Sequence, residues 1–423
     1  MVAQTAGPMA AQTEAPSTLQ PALDRLIGIG VEEFACDYWG RQELLTPAGA
    51  AVGGSGFGAG FSDLLDADAV DELVSERGLR TPFLRVARDG TTLGDATFTA
   101  PGGVGATIAD QVSDDSLVRL FAEGATMVLQ ALHRVWPPVV TFCQRLAADL
   151  GHPVQANAYV TPPQNQGFSN HYDVHDVFVL QISGEKRWVI HEPVHPAPLR
   201  HQPWTDRRRS VEKRAAEEPV IDTVLRPGDS LYLPRGFLHA ATALGGVSTH
   251  LTLGVHSWTR YGLAEQLVQL ALRAVAEDPE ARASLPVGVD LSDPSDLAED
   301  LEVIRGRLID VLRDADASAL ASALAPLARS AQRAAPIGPL HQLQAADELT
   351  DRTPVLVRPY LAGSVKDRTD GGLTVSSRAG QVSIPAAERE AFLTWWQSGH
   401  GTTGELGSGL TRKLLLTGLA VTG

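Results

Sequence analysis

His171 and Asp173 stand two residues apart in the run Asn170-His171-Tyr172-Asp173-Val174-His175-Asp176-Val177-Phe178-Val179-Leu180-Gln181. In an extended chain, residues i and i+2 point to the same face. An imidazole nitrogen and a carboxylate oxygen on one face make two adjacent metal ligands. A third candidate, His239, follows the turn-rich run Arg226-Pro227-Gly228-Asp229-Ser230-Leu231-Tyr232-Leu233-Pro234-Arg235-Gly236-Phe237-Leu238. Two histidines and one carboxylate, with coordination positions left over, suit non-heme Fe(II) oxygen chemistry. His175 and Asp176 are rivals, because His175 is also two residues from Asp173. His171 is preferred because the chain enters its strand there, after the turn 167–170, where a ligand facing the mouth belongs. His250 and His256 share a face of the last strand candidate, where they line a barrel, form an outer layer around the ligands, or simply pack. His191, His195 and His201 sit in a Pro-rich segment with no carboxylate at ligand spacing and read as surface.

The elements that must position these residues follow from periodicity. Residues 154–161 alternate small apolar with polar or aromatic side chains, which is strand spacing. Further strands are predicted over 176–182, 186–191, 222–225, 230–233 and 248–255. Ser183-Gly184-Glu185 reads as a hairpin turn and Pro227-Gly228-Asp229 as a turn between strands. Short strands divided by Gly/Pro turns predict an antiparallel sandwich or barrel. A small barrel sets strands distant in sequence side by side, so the three ligands can converge. Ahead of it, helices are expected over 23–39 and 63–77, strands over 83–86 and 92–98, and a long helical region over 116–150 broken by Pro137-Pro138. After Trp258, helices are expected over 263–277, 297–312 and 317–334. Their wide apolar stripes need a covering surface, either a dimer interface or the barrel itself. A small module follows, with strands over 355–358, 373–376 and 381–384 and a helix over 386–396.

Composition bounds the function. A chain of 423 residues suggests two or three domains, and 43% apolar residues are enough for real cores. The formal net charge of −15 argues against general nucleic-acid or anionic-membrane binding. No run of about 18 apolar residues occurs, so no spanning helix is expected. Residues 1–21 have no basic or long apolar stretch and read as a disordered lead, not a signal peptide. The two cysteines, Cys36 and Cys143, form no CxxC pair, which fits a reducing cytoplasm. The Gly-rich run 53–60 does not match a phosphate-binding GxGxxG and reads as a surface loop. Arg207-Arg208-Arg209 with Lys213-Arg214 is a basic patch beside Glu212, Glu217 and Glu218, and reads as a solvated, disordered loop.

Several runs carry a specific resemblance. They are Asn157-Ala158-Tyr159-Val160-Thr161-Pro162-Pro163, His171-Tyr172-Asp173, residues 176–181, Gly184-Glu185-Lys186-Arg187-Trp188, and residues 227–239. Together they resemble the JmjC-type cupin family of ribosomal oxygenases, from about Phe34 to the C-terminus and most sharply over 157–256. The resemblance implies an α+β fold: a double-stranded β-helix (cupin/JmjC) barrel over 22–260, a helical dimerisation region over 261–338, and a winged-helix-like module over 339–423. It implies an Fe(II)- and 2-oxoglutarate-dependent dioxygenase, using O₂, that hydroxylates an arginine or histidine side chain of a ribosomal protein, and a homodimer. His171, Asp173 and His239 match the iron ligands. Lys186 matches the residue that pairs with the distal carboxylate of 2-oxoglutarate, with Arg187 as its competitor on the opposite strand face. Asn157 and Tyr159 match positions that line the substrate pocket. Gly254 stands where the histidine-hydroxylating members carry a serine, so that hydroxyl is missing here. The loop 163–170 offers no carboxylate for a guanidinium. The same fold could serve a peptide natural-product precursor, or hold a metal without turnover. The helix 386–396 carries Glu388 and Glu390 beside Arg389, which disfavours DNA contact.

Overall fold

The computed structural model describes residues 21–50, 60–88, 90–165 and 168–423. The expected N-terminal lead (but for Pro21), the Gly-rich run up to residue 59, and Gly167 of the turn before Asn170 lie outside the described residues. The chain divides into two units between Ser257 and Trp258.

The first unit is built on one nine-stranded sheet. Its main strands are β1 (Leu44–Thr46), β2 (Leu84–Arg88), β3 (Thr126–Leu129), β4 (Val154–Thr161), β5 (Asp176–His191), β6 (Ile221–Leu225), β7 (Ser230–Leu233) and β8 (Leu238–Val255). The order is β1-β7-β5-β8-β4-β3-β2, ending on the two-residue strand Thr91–Thr92, with β6 attached to β5. All pairings are antiparallel. This path is open, so the expected barrel is a sheet folded over on itself and not a closed ring.

The fold-over comes from β5 and β8, which pair from Leu238↔His191 to Val255↔Asp176. The sequence reading placed a hairpin at 183–185, but the chain does not reverse there. Gly184 instead takes φ +64°, and a Cβ at this position would collide with the Val247 carbonyl oxygen. Opposite it, the register shifts between Leu244 and Thr249 and again between Thr249 and His250. Such an irregularity bends a strand and inverts which side chains face one side. Accordingly Val177 and Val179 before the bend, and Lys186 and Trp188 after it, line the same cavity. In β8, His239 and Ala241 give way in the same manner to His250 and Thr252.

The outer side of the sheet is covered by α1 (Ala67–Ser75), α2 (Asp114–Ala122) and α3 (Pro137–Leu150). Ala156, Ala158 and Val160 of β4 point into that apolar core, while Asn157, Tyr159 and Thr161 alternate to the other face. Three sequence expectations change here. Residues 116–150 are not one helical region: α2 ends before Gly124 at φ +93°, β3 follows, and α3 begins with Pro137 at its first position. The four residues of β3 are too short an apolar run for periodicity to assign. Residues 23–39 form a short helical turn at Leu23–Arg25 and, beyond Gly28 and Gly30, one continuous helical run from Val31–Glu33 into Phe34–Tyr38, because the glycines interrupt the predicted helix. Of the predicted strand 92–98, only Thr91–Thr92 and Thr99–Ala100 flank a helical turn at Asp95–Thr97. The basic segment is also helical, over Trp204–Arg207 and Arg208–Arg214.

The second unit opens with α4 (Arg260–Val275), α5 (Pro294–Asp314) and α6 (Ala317–Ala331). It closes around a separate core that includes Phe392, Trp395 and Trp396. Two three-stranded sheets belong to it: Pro354–Val357 between His400–Thr402 and Ala420–Thr422, and Leu373–Ser377 between Gly363–Asp367 and Gly380–Ile384. Its helices include Arg389–Ser398 and Ser408–Leu416. No helix among the described residues is long and apolar enough to cross a membrane.

Because the bend at Gly184 allows neither a Cβ nor an ordinary φ, Gly184→Ala is expected to destabilise the first unit by about 2 kcal/mol. A drop in the urea midpoint of that unit's unfolding checks it, and an unchanged midpoint would show that the bend tolerates a side chain.

Candidate metal centre

His171 and His239 face each other across an isolated antiparallel bridge. The His239 amide donates to the His171 carbonyl at 2.8 Å and the His171 amide to the His239 carbonyl at 3.2 Å. Their rings lie 4.4 Å apart between centroids. Asp173 is fixed two residues on, where its carbonyl accepts from the Gly236 amide at 3.0 Å. Its Oδ2 is 3.7 Å from His239 Nε2. One ligand atom from each of the three residues lies within 4.8 Å of the others, and among the described residues no other group of His, Cys, Asp and Glu converges in this way.

Backbone carbonyls set the tautomers. His171 Nδ1 lies 2.8 Å from the Ser169 carbonyl oxygen and His239 Nδ1 lies 3.2 Å from that of Phe237. A carbonyl only accepts, so each Nδ1 donates, and a neutral ring keeps its Nε2 lone pair free. Burial, helped by His171, pushes His239 down to about 4, so it is neutral at pH 7. Burial alone would raise the Asp173 carboxyl. Positive charge around it, from His175 first and Arg85 among the rest, outweighs burial and holds the group below its ordinary value, as a carboxylate. Two neutral imidazole nitrogens and a carboxylate oxygen fit a divalent first-row metal.

Lys186 extends into the same cavity from β5 and is buried. Among the described residues its Nζ meets only neutral groups: Thr161 Oγ1 at 2.9 Å and His250 Nδ1 at 3.4 Å. Burial pushes it down to about 7. Arg187, the competitor, faces outward and pairs with Asp222 at 2.5 Å. A buried ammonium with no carboxylate beside it is matched to an anion. Tyr159 stacks on His250, 4.9 Å between centroids with planes 1° apart, and Trp188 meets His250 edge-on at 5.4 Å. Burial lifts the Tyr159 hydroxyl to about 12, so it remains a neutral donor.

The remaining sequence candidates separate clearly. Asp176 is buried and committed to Arg235, accepting from its amide at 3.0 Å and its guanidinium at 3.2 Å. His175 stacks on His256 at 5.4 Å and stands outside the converging group. Asn157 shares the cavity-side face of β4 with Tyr159, but its Oδ1 accepts from the Ala131 amide at 3.0 Å. A Cβ on Gly254 would fall 2.5 Å from the His175 ring. His191, expected at the surface, is buried because β5 runs on to that residue. Sequence reasoning missed Thr161, although the alternation that grouped Asn157 with Tyr159 extends to it. It also missed Arg85, which lies over the Phe168 ring at 5.1 Å and acts on Asp173 from β2. No local motif marks that arginine.

A family model for the JmjC domain matches residues 136–263. Ribosomal oxygenase 1 of Rattus norvegicus is 36% identical over 189 residues, covering 42% of this chain and 31% of that protein. The Gallus gallus protein of the same name is 32% identical over 263 residues, covering 60% and 40%. The bifunctional lysine-specific demethylase and histidyl-hydroxylase NO66 of Drosophila persimilis is 37% identical over 139 residues, covering 32% and 19%. The chain thus spans well under half the length of these curated relatives. Among solved structures, YcfD, a ribosomal oxygenase from Escherichia coli in complex with cobalt and 2-oxoglutarate, is similar with a TM-score of 0.55 and 16% identity. That likeness covers 94% of this chain and 99% of YcfD, and concerns the fold. The chain therefore carries a JmjC domain over residues 136–263, is similar in sequence to ribosomal oxygenases over part of its length, and shares the fold of YcfD.

Proposed function

We propose that this protein is an Fe(II)- and 2-oxoglutarate-dependent dioxygenase that hydroxylates an arginine or histidine side chain of a ribosomal protein. The observation that carries the reading is one cavity holding both a metal-ready triad and a buried lysine that pairs with no anion among the described residues. His171, Asp173 and His239 are the ligands, and the complex of YcfD with cobalt and 2-oxoglutarate supports the same pair of bound groups here. Bound there, iron with 2-oxoglutarate and O₂ supplies the oxidising power that places one oxygen atom in a C–H bond, with succinate and CO₂ released.

The chain's own residues do the positioning. Lys186 holds the far carboxylate of the cosubstrate and Thr161 orients the ammonium. Charge-assisted contacts of this kind are the strong ones in a dry site. Trp188, Tyr159 and His250 wall the cavity against water. Asn157, Tyr159 and Gly254 form the side on which the substrate side chain arrives. The protein's main task is to hold one C–H bond near the oxidant.

Residues 261–338 are proposed as a dimerisation region. Exposed Leu263, Val268, Leu272, Leu301 and Ile309 on α4 and α5 support a covering partner, a second copy of the chain. Residues 339–423 are proposed as a winged-helix-like module that does not contact DNA, consistent with Glu388 and Glu390 at its helix start. A cytoplasmic location is consistent with the two free thiols, Cys36 and Cys143.

Asp173→Ala is expected to abolish iron-dependent conversion of 2-oxoglutarate to succinate, and with it the one-oxygen mass gain on purified ribosomal proteins. Full succinate formation by that variant would refute the triad. Absence of succinate in the unaltered protein would leave a metal-holding binding protein in its place. The second expectation concerns Lys186, whose folded value near 7 lies below its ordinary 10.5. Between those values the unfolded chain binds the extra proton, so stability of the ligand-free protein rises as pH rises from about 7 towards 10.5. The full difference is roughly 5 kcal/mol. Urea midpoints at pH 7 and pH 9 should therefore diverge in the unaltered protein, and the Lys186 share of that slope should vanish in Lys186→Met, which should also lose 2-oxoglutarate binding. Equal slopes in the two proteins would place the ammonium in contact with water.

A further inference from the structure

Four same-face positions run in order along β8 and just past its end: His250 and Thr252, which line the cavity, then Gly254 and His256. His250 lies at the Lys186 end, with Nδ1 3.4 Å from Nζ. On the oxygenase reading the cosubstrate would take the Lys186 end, which leaves the Gly254 end of the same strand face for the substrate side chain. There the backbone of β8 sits between Val177 of β5 and Gln155 of β4. A side chain at this central position would meet an occupant. An ideal Cβ on Gly254 falls 2.5 Å from His175 Cδ2 and 2.6 Å from its Nε2, distances that real Cβ atoms do not tolerate. Gln155 Nε2 is 3.0 Å away. The φ of Gly254 is ordinary, so neither a turn nor backbone strain calls for glycine here. Space for the His175 ring does.

His175 is held by its ring face and not by its polar atoms. It stacks on His256 with planes 15° apart, and no described residue hydrogen-bonds either ring nitrogen. It is partly exposed, two residues beyond Asp173.

We propose that His175 is a specificity-determining residue of this pocket, and that position 254 is glycine so that the His175 imidazole can occupy the space beside the substrate side chain. This rests on the oxygenase reading above. An imidazole offers one donor and one acceptor, so it matches a side chain that does the same. Arg85, which lies over the Phe168 ring and acts on Asp173, already places a cation beside this end of the site, which opposes the entry of another. The pocket therefore favours a neutral donor–acceptor side chain over a guanidinium.

The test uses the full chain and four variants: Gly254→Ser, His175→Ala, their double combination, and His175→Gln. Thermal unfolding decides the steric coupling. Gly254→Ser should lower Tm, and removing the ring in the double variant should recover most of that loss; equal losses with and without the ring would overturn the coupling. Recognition is read by the rate of oxygen gain on a mixture of purified ribosomal proteins at limiting concentration, with the modified residue types identified by peptide mass spectrometry. His175→Ala should lose at least tenfold in rate, and His175→Gln, which keeps a donor and an acceptor, should recover part of it. An unchanged rate and product pattern in His175→Ala would overturn the role. The visible absorption of the anaerobic iron–2-oxoglutarate complex keeps the two levels apart. Its absence from the unaltered protein overturns the oxygenase reading, while the Tm comparison still decides the His175–Gly254 coupling.

Discussion

The ladder between β5 and β8 is the constraint from which the cavity follows. Two strands of sixteen and eighteen residues stay paired through a bend, so one pair of chains supplies both walls. Backbone hydrogen bonds on either side of the bend lock the positions of Lys186 and His239 relative to His250 and Thr252. The bend itself depends on a single residue without a side chain, Gly184, against the Val247 carbonyl. His171 then joins through two backbone hydrogen bonds to His239, and Asp173 follows at the next same-face position. No ligand depends on a flexible side-chain network for its place, which suits a site that must hold geometry closely.

Much of the centre was legible in the sequence because it obeys a period of two. His171 with Asp173, and Asn157 with Tyr159, share faces by spacing alone, and the strands 154–161 and 230–233 have the boundaries that alternation suggested. The bend was not legible. Ser-Gly-Glu between two strands is the usual signature of a reversal, and only the partner strand shows that the chain continues. The same gap in local information split one strand into two, hid the strand nature of 238–247, and put His191 on the surface. Lys186 over Arg187 rested on a family resemblance because parity counted from Val177 is broken at the irregularity.

Helical regions failed for a different reason. The segment 116–150 is rich in helix formers, yet Thr126–Leu129 pairs with both β2 and β4. Tertiary pairing overrides propensity when a sheet edge is available to a short apolar run. Arg85 was missed because nothing in its neighbourhood is unusual. Its influence on Asp173 and Tyr159 exists only once β2 is laid two strands away from β4.

The electrostatics of the cavity explain why its polar groups are arranged as a pair of opposites. The triad gathers a carboxylate and two neutral rings, a donor set that is incomplete without a cation. Lys186 presents an ammonium among neutral groups, incomplete without an anion. Each half alone is unfavourable in a buried setting, and the two are too far apart in role to neutralise one another, since no ion pair joins Lys186 to Asp173 among the described residues. A ligand that chelates a metal at one end and carries a carboxylate at the other satisfies both at once. The fold therefore holds in its ligand-free state a destabilisation at the lysine, from burial of its charge, that binding relieves. That destabilisation makes the cosubstrate's fit a property of the β5–β8 ladder, which sets the separation of the two halves before either ligand arrives.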